Sequence, residues 1–525
     1  MKHTILLIAL LILCSNSFAT SVTVSGTVSG SWTADTILVE GDLIVPSLGQ
    51  LVISPGTIVM FQSYFRMDVK GSVWAKGIPG DTILFTIRDT TNFNNQPHGR
   101  GGWSGIRFRQ LADTEDSSLF AYCRFEFSKA TEDSTNGYGG AILAYGFDKL
   151  RISNCLFFHN YSHYSGGAIY LDNSDAIVEK CVFVRNYSGN TGIIYGYGGG
   201  ICAMNSSPAI IQSEFYDNSS TGIGGAVSFD NSDPIFENNI MQHNHSALGG
   251  ALGVLRSSPA HTFSNNLIAN NEAQFFGGGI CCIRSFPVFS NLTITGNATM
   301  YGGGFYCNDS AAPLMYNSVI WGNTGLGPSV YIWDVYSAPS FYYCNIEGDT
   351  TAFGGSGAHL GFQGQYLNNL NENPDFLESG IFPFQLIASS PCIDAGTLDA
   401  GFLSLPSLDL AGNQRIVNNC IDMGAYEYNS SASIQPHKEI PQTFIIYPNP
   451  FKLSTTMVLL GHTDEARVVI TNIGGRIIKC LNINLNDTLV RWDGCDDQGK
   501  EVPKGIYFVM VKTTEKYYSG KVIKI

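Results

Sequence analysis

Four side chains able to carry charge or protons, His159, Arg185, Asp217 and His243, recur at intervals of 26, 32 and 26 residues, each directly before an asparagine. The residues directly after those asparagines are Tyr161, Tyr187, Ser219 and His245. If each interval is one turn of a stacked chain, both sets become rows whose members stand ~4.8 Å apart. Aromatic faces beside groups that form bidentate hydrogen bonds suit a sugar or an acidic glycan, so His159, Tyr161, Arg185, Tyr187, Asp217, His243 and His245 are the ligand-binding candidates. Arg185 and Asp217 are the only weak candidates for catalysis. The plain alternative is a solvated turn with one surface ion pair, which is worth little.

Placing such rows requires a repeating scaffold, and three columns define one. Paired glycines begin at Gly139, Gly166, Gly198, Gly224, Gly249, Gly277 and Gly302. Asparagines follow at Asn160, Asn186, Asn218, Asn244, Asn270, Asn297 and Asn323, and prolines at Pro208, Pro234, Pro259, Pro287, Pro313 and Pro339. A shared period of about 26 residues marks a solenoid. Segments such as AIYL, AIVEKCVFV and PAIIQSEFY are short apolar alternations broken by Gly, Asn, Ser and Pro, so each unit is one coil of a parallel β-helix. Asparagine tolerates a left-handed bend, and its amide can donate to one neighbour while accepting from another, forming a ladder along the axis. Glycine serves where coils approach closely. The columns are therefore architecture rather than catalysis, and Cys123, Cys155 and Cys181, five residues before ladder positions, are small core fillers. Val22 to Phe127 continues the solenoid less regularly, with ISPGTIVMF, VKGSVWAKG and GGWSGIRF as early coils.

The chain has 525 residues, 58 of them glycine, and a formal charge of −14, which argues against nucleic acid as a partner. Met1 to Ala19 combines Lys2, an apolar run and a small-x-small end, and reads as a cleavable secretory signal. Cys14 raises lipid attachment, which the large Leu13 before it disfavours. No later stretch is long and apolar enough for a membrane span. Twelve cysteines remain after the signal, in a compartment that permits disulfides.

The GGA-[IVL] element at Gly139, Gly166, Gly224 and Gly249, with F-x-x-N at Phe157, Phe183 and Phe215, resembles the repeats of polymorphic outer-membrane adhesins. Met241, Leu267, Ile294 and Ile320 take the phenylalanine position elsewhere. SSPCIDAG (Ser389 to Gly396), DLAGNQR (Asp409 to Arg415) and CIDMGAYEY (Cys420 to Tyr428) resemble a choice-of-anchor module. There Cys392 and Cys420, each before Ile-Asp, are the possible disulfide, and Asp394, Arg415, Asp422 and Glu427 read as salt bridges capping a terminal coil rather than an active site. YPNPF (Tyr447 to Phe451), VVITNIGGRII, WDGCDDQGKEVPKGIYF and GKVIKI are similar, in order and spacing, to the C-terminal sorting domain of the type IX secretion system. Asp496 and Asp497 lie in a turn where that family also carries acidic residues.

The expected architecture is all-β, a right-handed parallel β-helix followed by a small C-terminal Ig-like β-sandwich. Its divisions are 1–19 signal, 20–127 irregular coils, 128–350 regular coils, 351–428 last coils and anchor module, 429–443 linker and 444–525 sorting domain. The resemblances imply a secreted or outer-membrane-surface protein. Its expected partners are the secretion machinery and an extracellular polysaccharide or surface glycolipid, and its role is adhesion or glycan binding. No cofactor is required, calcium being the one open possibility. A polysaccharide lyase or hydrolase is the alternative, since this fold hosts both, but paired carboxylates ~5–9.5 Å apart and a nonapeptide calcium pattern are missing from the sequence. A structural surface-layer component is the third reading.

Overall fold

The computed structural model describes residues 20–447 and 451–524, except 95–98, 110–116, 132–135, 190–195, 259–261, 378–383, 399–402, 404, 429–443, 452–453, 460–465, 474, 484–488 and 514–516. The expected signal and linker lie outside the described residues.

One coil shows how the rest are built. After Gly166-Gly167-Ala168 come strand Ile169–Asp172, a bend at Asn173, strand Ile177–Glu179, a bend at Lys180, strand Val182–Val184, a bend at Arg185, and the short strand Tyr187–Ser188. The three bend residues have φ of 48°, 53° and 53°, the left-handed region in which a single residue reverses the outline of the coil. Every strand pairs in parallel with its equivalent one coil on, as in Ile169 with Ile201, Ile177 with Ala209, Val182 with Glu214 and Tyr187 with Ser219. Phe125, Phe157, Phe183 and Phe215 fill the interior as a stack with ring centroids 4.8, 4.8 and 4.7 Å apart. Burying each ring is worth ~1.5–3 kcal/mol before any stacking gain.

The asparagine ladder runs Asn160, Asn186, Asn218, Asn244, Asn271, Asn297, Asn323. Each amide Nδ2 donates to the next Oδ1, at 2.9, 2.8, 3.0, 2.9, 2.9 and 2.9 Å. The fifth rung is thus Asn271, correcting the expected Asn270. Asn270 occupies the left-handed bend instead (φ 57°), and Ile268, paired with Met241, fills the core in place of the expected Leu267. A second ladder stands at the preceding bend: Cys181 N–H donates to Ser213 Oγ (3.2 Å), Ser213 N–H to Asn239 Oδ1 (2.9 Å) and Asn239 N–H to Asn266 Oδ1 (2.8 Å). Cys123, Cys155 and Cys181 occupy this slot, and burial pushes the thiols of Cys155 and Cys181 well up, which keeps them protonated.

Strand Tyr366–Leu367, paired with Ser340–Tyr342, is the last rung of the solenoid. Phe353 closes the end against Phe341, 5.5 Å between centroids. The chain then turns back, so the segment expected as further coils is a strap across the side of earlier ones. Side-chain amides of successive coils hold it: Asn345 donates to Glu372 O (2.7 Å), Asn317 to Thr397 O (3.0 Å), Asn265 to Leu408 O (3.1 Å) and, where the strap doubles back, Asn291 to Asp422 O (3.0 Å). Beneath it Leu410, Ala425 and Tyr426 pack on the outward side chains Ile240, Leu267 and Ala269. The expected bridge between Cys392 and Cys420 is not formed, and both are free thiols. Cys392 is buried on the coils, where Asn345 Nδ2 donates to its sulfur (3.2 Å), while Cys420 sits part-exposed in a turn with Val417.

The C-terminal region is antiparallel. Strands Phe444–Tyr447, Thr455–Leu459 and Leu489–Trp492 form one sheet, and Ala466–Asn472, Ile477–Ile483, Gly505–Lys512 and Tyr517–Lys524 another. Met457, Val468, Ile470, Trp492 and Val509 share a single core.

Candidate ligand-binding face

His159, Arg185, Asp217 and His243 are brought into one row, as expected, because each is the left-handed bend residue before a ladder asparagine, with φ of 53–57°. Phe127 precedes them and Asn270, Gly296 and Gly322 follow in the same position. The row is not uniformly outward. His159 lies between Phe93 and Phe127, with centroids 5.1 and 5.5 Å away, and burial, helped by Arg185, pushes its pKa down to about 4. It is therefore neutral at ordinary pH and has no proton to give as an acid. Arg185 Nε stands 3.8 Å from Asp217 Oδ2. Burial raises the Asp217 pKa while Arg185 and His243 hold it down. The pair is a long, part-exposed contact worth ~0–1 kcal/mol.

The second row lies on the eight-stranded sheet, where Lys129, Tyr161, Tyr187, Ser219, His245, Glu272, Ala298 and Thr324 are successive register partners. Lys129 and Glu272 extend it beyond the residues recognised in the sequence. Its first half is closed: Tyr161, expected on the outside, is 3% exposed. The ring stacks on Tyr187 at 5.7 Å, its hydroxyl donates to Gly189 O (3.3 Å), and the Lys129 ammonium lies 5.9 Å from its centroid. The second half is open. His245 Nδ1 and Glu272 Oε2 are 3.8 Å apart, with side chains 53% and 68% exposed. They line a shallow groove of about 680 Å³ together with Gln274, Thr299, Met300 and Leu326.

Phe276 and Tyr301, each just before paired glycines, join Tyr306 and Trp333 on the strand side of those glycines in an aromatic cluster. Phe276 stacks on Tyr306 (4.8 Å) and Tyr301 (5.6 Å), and Trp333 meets it edge-on at 5.1 Å. Trp333 and Tyr301 remain 46% and 36% exposed. The sequence carries a signal for this cluster, an aromatic residue just before the glycines at Tyr138, Tyr197, Phe276 and Tyr301.

Asp394, Arg415, Asp422 and Glu427 lie in the strap and not at a coil end, which corrects the capping assignment. Arg415 Nη1 is 2.9 Å from Glu427 Oε1, both essentially buried. Asp422 Oδ1 accepts from Asp394 N–H (2.7 Å), and Asp409 Oδ2 accepts from Glu427 N–H (2.8 Å). Burial pushes the Glu427 pKa up to about 8 and raises those of Asp409 and Asp422 as well. A carboxyl that holds its proton more tightly when folded adds stability below its unfolded pKa of ~4.5, and that contribution is lost as pH rises through the folded value. The thermal midpoint is accordingly expected to fall between about pH 5 and pH 8.5, and Glu427→Gln to flatten that slope; equal slopes in the two proteins would show that Glu427 does not titrate there. Asp496 Oδ1 accepts from Gln498 and Lys500 N–H (3.0 and 2.9 Å), and Asp497 Oδ1 from Cys480 N–H (3.2 Å), so both build a turn. Among the described residues no three His, Cys, Asp or Glu side chains converge to hold a metal ion.

Residues 112–285 match the family model described as the right-handed beta helix region, and residues 445–525 match the secretion system C-terminal sorting domain. A curated relative, metabotropic glutamate receptor-like protein R of Dictyostelium discoideum, is 30% identical over 143 residues, which is 27% of this chain and 8% of the relative. Two solved proteins of Porphyromonas gingivalis are also similar in part. PorZ, described as an essential bacterial surface component of the type-IX secretion system, is 25% identical over 16% of this chain and 11% of its own, with a TM-score of 0.14. Dimeric latent PorU is 20% identical over 16% of this chain and 9% of its own, also at a TM-score of 0.14. This chain spans only a small part of the length of each. The protein is thus a right-handed parallel β-helix with a type IX sorting domain, and is secreted or displayed at the cell surface. Among the described residues no helix is long and apolar enough to cross a membrane.

Proposed function

We propose that this exported solenoid is an interaction protein that holds an extended extracellular glycan along the open half of the eight-stranded sheet. The observation that carries this reading is the groove lined by His245, Glu272 and Met300, with the exposed ring of Tyr301 next in the chain after Met300 and that of Trp333 joined to Tyr301 through Phe276. The groove runs across successive coils at ~4.8 Å steps, His245, Glu272, Ala298 and Thr324 being register partners along it, and such an elongated track suits a polymer better than a small molecule. Exposed rings bind sugar faces, and the His–Glu pair supplies hydrogen bonds that fix orientation. The sorting domain delivers the chain to the surface where such polymers are met.

The test is retention of the secreted protein on gels or arrays of neutral and acidic polysaccharides, with reducing ends and unsaturated uronates followed in parallel. Binding without product is expected. Trp333→Ala and His245→Ala should each weaken it about 3–10-fold, the scale of one lost aromatic or hydrogen-bonded contact. Retention unaffected by either change would remove the groove from the reading. Product that disappears in an Arg185→Ala, Asp217→Ala variant would replace binding with catalysis on the bend row.

A further inference from the structure

The groove at His245 lacks a fixed cation. Its lining holds one carboxylate, Glu272, one imidazole, His245, and otherwise uncharged side chains such as Gln274, Thr299, Met300 and Leu326, with no lysine or arginine among the described residues. The sequence gives the reason: between Arg185 and Arg415 the only lysine or arginine residues are Arg256 and Arg284. Both stand at the bend after the strand that follows the paired glycines, on the corner leading to the 13-stranded sheet, and each faces an aspartate, Asp230 and Asp309 respectively. Arg185, on the bend row two coils before His243, faces Asp217. Along the groove itself the bend residues are Asn270, Gly296 and Gly322. Gly322 N–H donates to Glu347 Oε2 at 3.0 Å, which sets a second carboxylate beside the bend that leads into Thr324.

The strand that carries Glu272 is also irregular. Ser246 pairs with Ala273 and Leu248 with Phe276, so strand Glu272–Phe276 fits one residue more than its partner between those pairs. This β-bulge leaves Gln274 and Phe275 both exposed, Phe275 by 42%. An amide and a ring therefore stand next to the carboxylate, which provides hydrogen bonds and an apolar face for a hydroxylated sugar but nothing to neutralise an anion. A uronic or sulfated polymer would carry one negative charge after another past Glu272, inside the ~8 Å screening length of physiological salt, and such like-charge contacts reject a partner.

We infer that the groove takes polymers of uncharged sugars and turns away uronic-acid and sulfated ones, with Glu272 as the excluding charge and Gln274 as a hydrogen-bonding contact to sugar hydroxyls. This selectivity rests on the glycan reading of the groove and adds to it the class of polymer.

The test is retention of the secreted full chain, at about 0.15 M salt, on matched polymers: dextran against dextran sulfate, and galactan against polygalacturonate. The uncharged member of a pair should be retained about tenfold or more tightly than its acidic counterpart. Glu272→Lys should narrow that ratio about fivefold or more, while Glu40→Lys, the same change at an exposed position on the first coils, should leave it unchanged. Gln274→Ala should weaken retention of the uncharged member about threefold or more. Equal or tighter retention of the acidic member, lost in His245→Ala, overturns the selectivity and leaves the glycan reading standing. A ratio that Glu272→Lys and Glu40→Lys move alike also overturns it, because the net charge of the chain would then be discriminating and not the groove. Retention of neither member, or retention that ignores both Trp333→Ala and His245→Ala, removes the glycan reading and this inference with it.

Discussion

Asn271→Ala is expected to cost the solenoid about 3–5 kcal/mol, read as a shift in the denaturant midpoint at constant m-value. The Asn271 Oδ1 accepts from both Asn244 N–H and Asn244 Nδ2 at 2.9 Å, and its Nδ2 donates to Met241 O and Asn297 Oδ1 at 2.9 Å. Alanine leaves buried amide groups on two adjacent coils without partners, each worth ~1–3 kcal/mol, and adds a small cavity. The neighbouring Asn270→Gly change should move the midpoint by less than about 1 kcal/mol, because Asn270 is exposed and its bend is occupied by glycine in the next two coils. Similar costs for the two substitutions would put the rung back in doubt.

Gly199→Ala should be at least as damaging, about 3 kcal/mol or more, with a corresponding fall in protease-resistant secreted protein. A Cβ at this position would stand 2.3 Å from Gly225 O and 2.5 Å from Ser219 O. Gly225 belongs to the next coil and Ser219 to the end of the same one, and both backbone atoms are held by the pairing between coils, so the methyl group can be admitted only by forcing this backbone apart. Gly412→Ala is the matched comparison, since it has φ of 91° but nothing within 4 Å of the added carbon. It bears only backbone strain, ~1–2 kcal/mol. Equal losses would mean that conformation, not coil spacing, sets the glycine requirement.

The period of the coils was legible because two positions per coil tolerate almost no substitution: a methyl group cannot fit at Gly199, and the ladder amide must both donate and accept. The register slipped by one at Asn270-Asn271, where two asparagines are adjacent and Leu267 and Ile268 are equally apolar, so only the three-dimensional pairing with Met241 separates them. The second ladder was invisible because Cys, Ser and Asn alternate in it. All that position needs is a small side chain that can accept one N–H. The fold-back of the strap did leave a trace, since Ile240, Leu267 and Val319 put apolar side chains on the outer face of their coils, where a bare solenoid would be polar. The closing of the bend row at His159 had no such trace, because Phe93, which covers it, lies 66 residues upstream outside the repeat.

A stack of coils that touch only their neighbours unravels from its ends, one coil after another. The strap changes that behaviour, because Asn265, Asn291, Asn317 and Asn345 bond to one continuous return segment. Freeing the last coil therefore means freeing the lashing on the three before it, and this end of the molecule must yield as a unit or not at all. Under load along the axis, that is the difference between a thread that peels and a tether that holds.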